Sequence, residues 1–209
     1  MTKKEKVLQI KDIFNRVYAD AKCSLDFETP HQLLVAVQLS AQCTDARVNI
    51  VTPALFGKYP TPESMANAPL SDIEELIKTC GLYKTKAKDL IAIAQRICEA
   101  YGGKVPEEMD DLLTLSGVGR KTANLVRGDV FGHPAVVTDT HFIRLCNRLG
   151  FVDTKEPKAV EQKMLKILPP EKSNDFCHRS VLHGRAVCTA RKAFCEKCCL
   201  NSICKKRMK

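Results

Sequence analysis

No apolar run in this sequence approaches the length that spans a bilayer, which sets aside a membrane-inserted helix. The opening stretch, MTKKEKVLQIKDIF, turns charged and amphipathic at once. It lacks the apolar centre and small-residue cleavage site of a secretory signal. No repeat of fixed period appears, which sets aside solenoids and propellers. Nor is there a low-complexity linker or a convincing pair of period-two strands. What remains is the expectation of a soluble, cytoplasmic, all-α chain. At 209 residues it forms one large domain or two small lobes, enough to bury a real core.

Acidic residues are the scarcer charge. Thirty-three Lys and Arg against 24 Asp and Glu leave a formal charge of +9, a balance that favours a polyanionic partner through phosphate contacts. The imbalance concentrates at the end of the chain. Arg185, Arg191, Lys192, Lys197, Lys205, Lys206, Arg207 and Lys209 face a single acid, Glu196.

The periodic segments are helical. Thr29-Pro30 opens a helix in which Leu33, Leu34, Val37 and Ala41 share a face. A second helix carries Val48, Val51 and Leu55 up to Gly57. Ser71-Asp-Ile-Glu74 fits a capping box, and Gly81 stops the run that follows. Over 85–101, Leu90, Ile91, Ala94, Ile97, Cys98 and Tyr101 recur at helical spacing. Pro106 starts a short helix through Leu112 and Leu113. Further helices fit 120–131, 140–149, 157–168 and 173–187.

Eleven cysteines is a high count for a chain without an export signal. Cys23, Cys80, Cys98 and Cys146 are scattered and read as structural thiols. Cys188, Cys195, Cys198 and Cys204 differ: they form C-x6-C-x2-C-x5-C within 17 residues. Structural zinc sites more often use two C-x2-C knuckles across a longer spacer, so zinc stays open while the single knuckle favours a bulkier iron–sulfur cluster. Cys199 and Cys177 lie nearby and are read as non-ligands. Arg191 and Lys192 sit inside the six-residue arc, where a cross-linked loop would hold them outward toward phosphate.

The stretch LTLSGVGRKTANLV, residues 113–126, places two glycines and an Arg-Lys pair where a helix begins. Gly117 and Gly119 permit positive φ and let backbone N–H groups approach a ligand closely. With the following helix N-terminus those groups suit a DNA phosphate. A lysine belongs poorly there, since the helix dipole and the adjacent Arg120 both disfavour an ammonium. A neutral amine is what nucleophilic attack requires.

LSGVGRKTANLV, then VVTDTHFIRLCNRLGF, then the four-cysteine loop resemble the endonuclease III family of DNA glycosylases, in the helix-hairpin-helix superfamily. HQLLVAVQLSAQCTDARVN and IKTCGLYKTKAKDL resemble it too, so the likeness covers essentially the whole chain in order. The resemblance implies a helical barrel over 23–133 with its hairpin at 112–124. It also implies a second lobe from 1–22 and 134–209 carrying a 4Fe–4S cluster on the four cysteines, with a DNA cleft between the two. It makes Lys121 the nucleophile at the sugar C1′ and Asp139 its carboxylate partner. Gln42 and Leu82 would fill the gap left by a flipped base. Gly117, Gly119, Arg120, Arg191 and Lys192 would contact DNA, and Asp45 and His141 would stand near the pocket. Thr138 departs from the family's usual aliphatic residue, and its hydroxyl is expected to cap the following helix.

The implied activity is that of a monomeric, nucleoid-associated DNA glycosylase and AP lyase acting on oxidised pyrimidines in duplex DNA. Adenine-mismatch relatives lack the lysine and carry an extra C-terminal domain, and thymine-mismatch relatives lack the lysine too. The competing readings outside enzymology are a DNA-binding redox sensor and a zinc-stabilised DNA-binding protein.

Overall fold

Thr2 accepts a hydrogen bond from Glu5 N while the Glu5 carboxylate accepts one from Thr2 N, and this reciprocal cap starts α1 (Lys3–Val17). The structure is a computed structural model that describes residues 1–206; Arg207 and Lys209 of the basic tail lie outside the described residues. After α1 come α2 (Pro30–Ser40), α3 (Asp45–Lys58), α4 (Pro62–Ala66), α5 (Leu70–Ile77) and α6 (Tyr83–Tyr101). Then follow α7 (Met109–Leu112), α8 (Arg120–Asp129), α9 (Thr140–Leu149), α10 (Pro157–Leu165) and α11 (Ser173–Ala186). Among the described residues there is no β-strand, only an isolated bridge between Cys188 and Ala193. No helix is long and apolar enough to cross a membrane among those residues.

The chain divides into two compact units. One runs from Cys23 to Phe131 and holds α2 to α8. Its centre is α2, started by the Thr29 hydroxyl on the Gln32 N–H with Pro30 in the first turn. Eight of its eleven residues are buried, and a helix apolar on so many faces belongs inside a bundle. Leu33, Leu34 and Leu39 pack in one cluster with Leu55, Met65, Ile73, Ile77, Leu90 and Ile97 from the surrounding helices.

The other unit joins Met1–Lys22 to the chain from Gly132 onward. Lys6 is 5% exposed, and its Nζ donates to Leu149 O at 2.6 Å, satisfying a carbonyl at the C-terminal end of α9. Lys3 Nζ does the same for Phe151 O, and Arg179 Nε for Tyr18 O. Cations from one chain end thus close hydrogen bonds left open at the other.

Local expectations fail where proline intervenes. α5 begins at Leu70 behind Pro69, whose φ of −58° sets the turn, and no side chain caps it. Ser71 therefore sits inside the first turn and cannot close a capping box with Glu74. The short helix expected from Pro106 spans only Met109–Leu112.

Candidate active site

The hairpin is built on Gly117. Its φ of 68° lies in the left-handed region, and a Cβ there would stand 3.1 Å from Gln38 Nε2. That amide donates to Ser116 O at 3.1 Å, while the Ser116 hydroxyl donates to Asp89 Oδ1 at 2.8 Å. Helices α2 and α6 thereby hold the turn between α7 and α8 in place. Gly119 corrects the sequence expectation: it is extended, at φ −96° and ψ 174°, and needs no positive φ. It is the N-cap of α8 and, lacking a side chain, supplies no capping oxygen of its own to that helix. A Cβ on Gly119 would meet nothing within 4 Å, which leaves room for a ligand.

Arg120 and Lys121 are the first two residues of α8, and Lys121 is exposed. Asp139 belongs to the other unit, where it is the N-cap of α9: its Oδ1 accepts from Phe142 N at 2.7 Å. The cap is therefore the carboxylate, not the Thr138 hydroxyl, and Thr138 is buried at 8% exposure. His141, in the first turn of α9, lies with Nδ1 3.1 Å from Arg144 Nη2. It also packs on α11, where a Cβ on Gly184 would come within 2.9 Å of the His141 Cβ. Asp45 accepts from the Ser24 hydroxyl at 2.6 Å.

Gln42 and Leu82 share a backbone feature that sequence reading missed. Gln42 has φ 53° and Leu82 has φ 60°, the left-handed region that non-glycine residues rarely enter. Leu82 is 57% exposed. The two turns touch, since a Cβ on Gly81 would stand 3.1 Å from Gln42 O. Beneath them Lys86 buries its amine, donating to Leu39 O at 2.8 Å, and burial lowers its pKa. Both side chains are thus exposed on neighbouring turns whose backbone is left-handed.

Cys188, Cys195, Cys198 and Cys204 line one cavity, together with Leu145, Arg148, His183 and Leu200; Cys199 and Cys177 do not line it. Among the described residues no three His, Cys, Asp or Glu side chains gather as they would around a single ion. The sulfurs instead face donors. Arg148 Nη1 stands 3.2 Å from Cys188 Sγ and 2.8 Å from Thr189 O. Leu200 N points to Cys198 Sγ and Lys206 N to Cys204 Sγ. His183, fully buried, bridges Tyr18 OH at 3.0 Å and Cys198 Sγ at 3.4 Å, and burial holds its imidazole down at about 4. Arg148 and His183 escaped the sequence reading. Their one signal is a polar side chain on the apolar faces of α9 and α11.

The six-residue arc between Cys188 and Cys195 is closed by Thr189, whose hydroxyl donates to Lys192 O at 2.6 Å and accepts from Lys192 N at 3.1 Å. Arg191 and Lys192 are exposed on this turn, with Lys192 Nζ 5.2 Å from the centre of the Phe194 ring.

Residues 35–170 match the family described as HhH-GPD superfamily base excision DNA repair protein. Endonuclease III of Synechocystis sp. is 46% identical over 204 residues, covering 97% of this chain and 93% of that protein. A non-covalent endonuclease III–DNA complex superposes with a TM-score of 0.91 at 40% identity, over 99% of this chain and 97% of the other. A trapped endonuclease III–DNA covalent intermediate does so at 0.89, with the same identity and coverage. A likeness this close, carried along nearly the full length, makes the chain a member of the endonuclease III family of base excision DNA repair proteins.

Proposed function

We propose that the chain removes oxidised pyrimidines from duplex DNA and then cuts the strand, with Lys121 as nucleophile and Asp139 as its partner. The observation that carries the reading is an exposed lysine in the first turn of α8, directly behind a hairpin whose glycine cap puts no oxygen of its own on the helix amides. Those amides take a backbone phosphate of the damaged strand. The flipped nucleotide then presents C1′ to Lys121 Nζ. Attack of the amine forms a C–N bond as the glycosidic bond breaks and the base leaves with the electron pair. Loss of a proton from nitrogen and opening of the sugar give an imine. The imine acidifies the C2′ proton, and its removal expels the 3′ phosphate by β-elimination. The Asp139 carboxylate stabilises the positive charge that develops on the sugar and takes up the proton from the amine. Gln42 and Leu82 fill the vacated space in the duplex, and Arg191 and Lys192 contact phosphate.

The four cysteines fit a 4Fe–4S cluster better than a zinc ion. A single ion needs its thiolates about 2.3 Å from one point. These four line one cavity without gathering as they would around a single ion, and N–H donors aim at three of the sulfurs, an arrangement that supports a polynuclear centre. When bound, the cluster supplies a cross-link that stiffens the loop bearing Arg191 and Lys192.

The test is excision and nicking of duplexes carrying thymine glycol or an abasic site, with wild type and Lys121→Gln side by side. Wild type releases the base and nicks both substrates, while the variant binds and does neither. Nicking that survives in Lys121→Gln overturns the assignment. Iron and sulfide in the purified protein support the cluster, and zinc in their place contradicts it.

A further inference from the structure

We propose that Cys43 and Cys80 are an oxidisable pair that closes into a disulfide and pins together the two turns carrying Gln42 and Leu82. Cys43 directly follows Gln42, and Cys80 stands two residues before Leu82. The turns already touch at Gly81 and Gln42 O, so the cysteines flank an existing contact between segments 37 residues apart in sequence, counting from 43 to 80. Cys80 is 1% exposed and belongs to the core, while Cys43 is only half-buried and packs against it. Burial pushes the Cys80 thiol up to about 11, and the Cys43 sulfur acts in the same direction through charge and a hydrogen bond, as direct neighbours do. Lys86 and Arg47 oppose that rise, and Lys86 feels both sulfurs. The pair thus combines one accessible thiol, one sheltered partner and two cations that favour a thiolate.

Cys146 and Cys177 make an instructive contrast. They also interact, but both are 1% exposed, so no oxidant reaches either first. At Cys43 and Cys80, by contrast, one residue is half-buried and the other is buried.

The oxidant is a low-molecular-weight disulfide such as oxidised glutathione. The Cys43 thiolate attacks one of its sulfurs, expelling a thiolate and forming a mixed disulfide. The Cys80 thiolate then attacks the Cys43 sulfur and expels the second thiolate. Two protein thiols lose two electrons and two protons, and one small disulfide becomes two thiols. Reduction by a dithiol reverses the sequence.

The consequence for DNA rests on the proposed role of Gln42 and Leu82. Both sit in left-handed backbone, and the proposed insertion has each turn adjust as its side chain enters the duplex. A covalent bond across their bases withholds that adjustment, so the oxidised protein binds damaged DNA less well.

The experiment uses holoprotein treated with oxidised glutathione, alkylation and peptide mass spectrometry, and binding to duplex with a reduced abasic analogue. The expected result is a linked Cys43–Cys80 peptide and affinity weaker by about tenfold or more, the scale of forfeiting one buried leucine contact. Dithiothreitol restores binding, and Cys43→Ser, whose site is only half-buried, binds at the reduced wild-type level with or without the oxidant. Cys80→Ala gives the same insensitivity from the other side of the bond. If both thiols remain separately alkylated after treatment, the inference falls while the glycosylase reading stands. A bond that forms without changing affinity overturns its control of binding, and the assignment of Gln42 and Leu82 to the duplex along with it.

Discussion

Replacing Asp139 by asparagine and by alanine separates two jobs that one carboxylate performs. Its Oδ1 caps α9 through Phe142 N at 2.7 Å, and asparagine caps a helix as well as aspartate does. Asparagine forfeits only the interaction of a negative charge with the helix dipole, about 0.5 kcal/mol. Alanine forfeits the hydrogen bond as well, a total of about 1 kcal/mol or slightly more. For a chain of 209 residues each kcal/mol lowers Tm by about 2–4 °C, so Asp139→Asn melts about 1–2 °C below wild type and Asp139→Ala about 2–5 °C below. Chemistry follows a different order. Both variants lack the carboxylate proposed to assist Lys121, and both are expected to lose roughly 10²–10⁴ in single-turnover excision rate. Thermal unfolding and single-turnover excision of thymine glycol are measured on the same preparations. An Asp139→Asn variant that excises at the wild-type rate would reduce the residue to a helix cap and refute the reasoning.

Arg191→Ala with Lys192→Ala removes the two phosphate contacts proposed for the Thr189 turn, so affinity for duplex is expected to fall and the log–log salt slope to become shallower by about 2. An unchanged slope returns both residues to solvent. His31 gives a pH prediction: burial holds its imidazole down at about 4, against an ordinary 6.5, and neither ring nitrogen has a hydrogen-bond partner. Between those values the unfolded chain takes up a proton that the folded chain refuses. Its contribution to stability is complete above pH 6.5 and drains away toward pH 4. Between pH 7 and 5 this amounts to about 2 kcal/mol. Urea unfolding of His31→Leu at the two pH values should show that much less dependence than wild type; an equal dependence contradicts the burial argument.

The sequence made the helices visible wherever one face is apolar. The periodicity over 85–101 marks α6 to within two residues of its start at Tyr83, and the run ending at Gly150 marks α9. Legibility failed where a neighbour in sequence outweighs pattern. Pro69 moved the start of α5 ahead of Ser71, and α4, at five residues, is too short to show a period. The hairpin was legible as a motif, but not its chemistry in detail: Gly117 needs its left-handed φ, whereas Gly119 matters for the side chain it lacks. Least legible were contacts between distant segments. Nothing near Arg148 announces that it hydrogen-bonds Cys188, 40 residues away, and nothing near Lys86 announces Leu39 O. Gln42 and Leu82 were marked by resemblance alone; their shared left-handed backbone emerges only from folded geometry.

The central claim is that one amine, at the second position of α8, bonds to deoxyribose. Borohydride added during reaction with an abasic duplex reduces the imine to a stable amine, and digestion followed by mass spectrometry locates the nucleotide on the peptide. The account predicts a single adduct, on Lys121. An adduct on another lysine, or strand cleavage with no adduct at all, would contradict it.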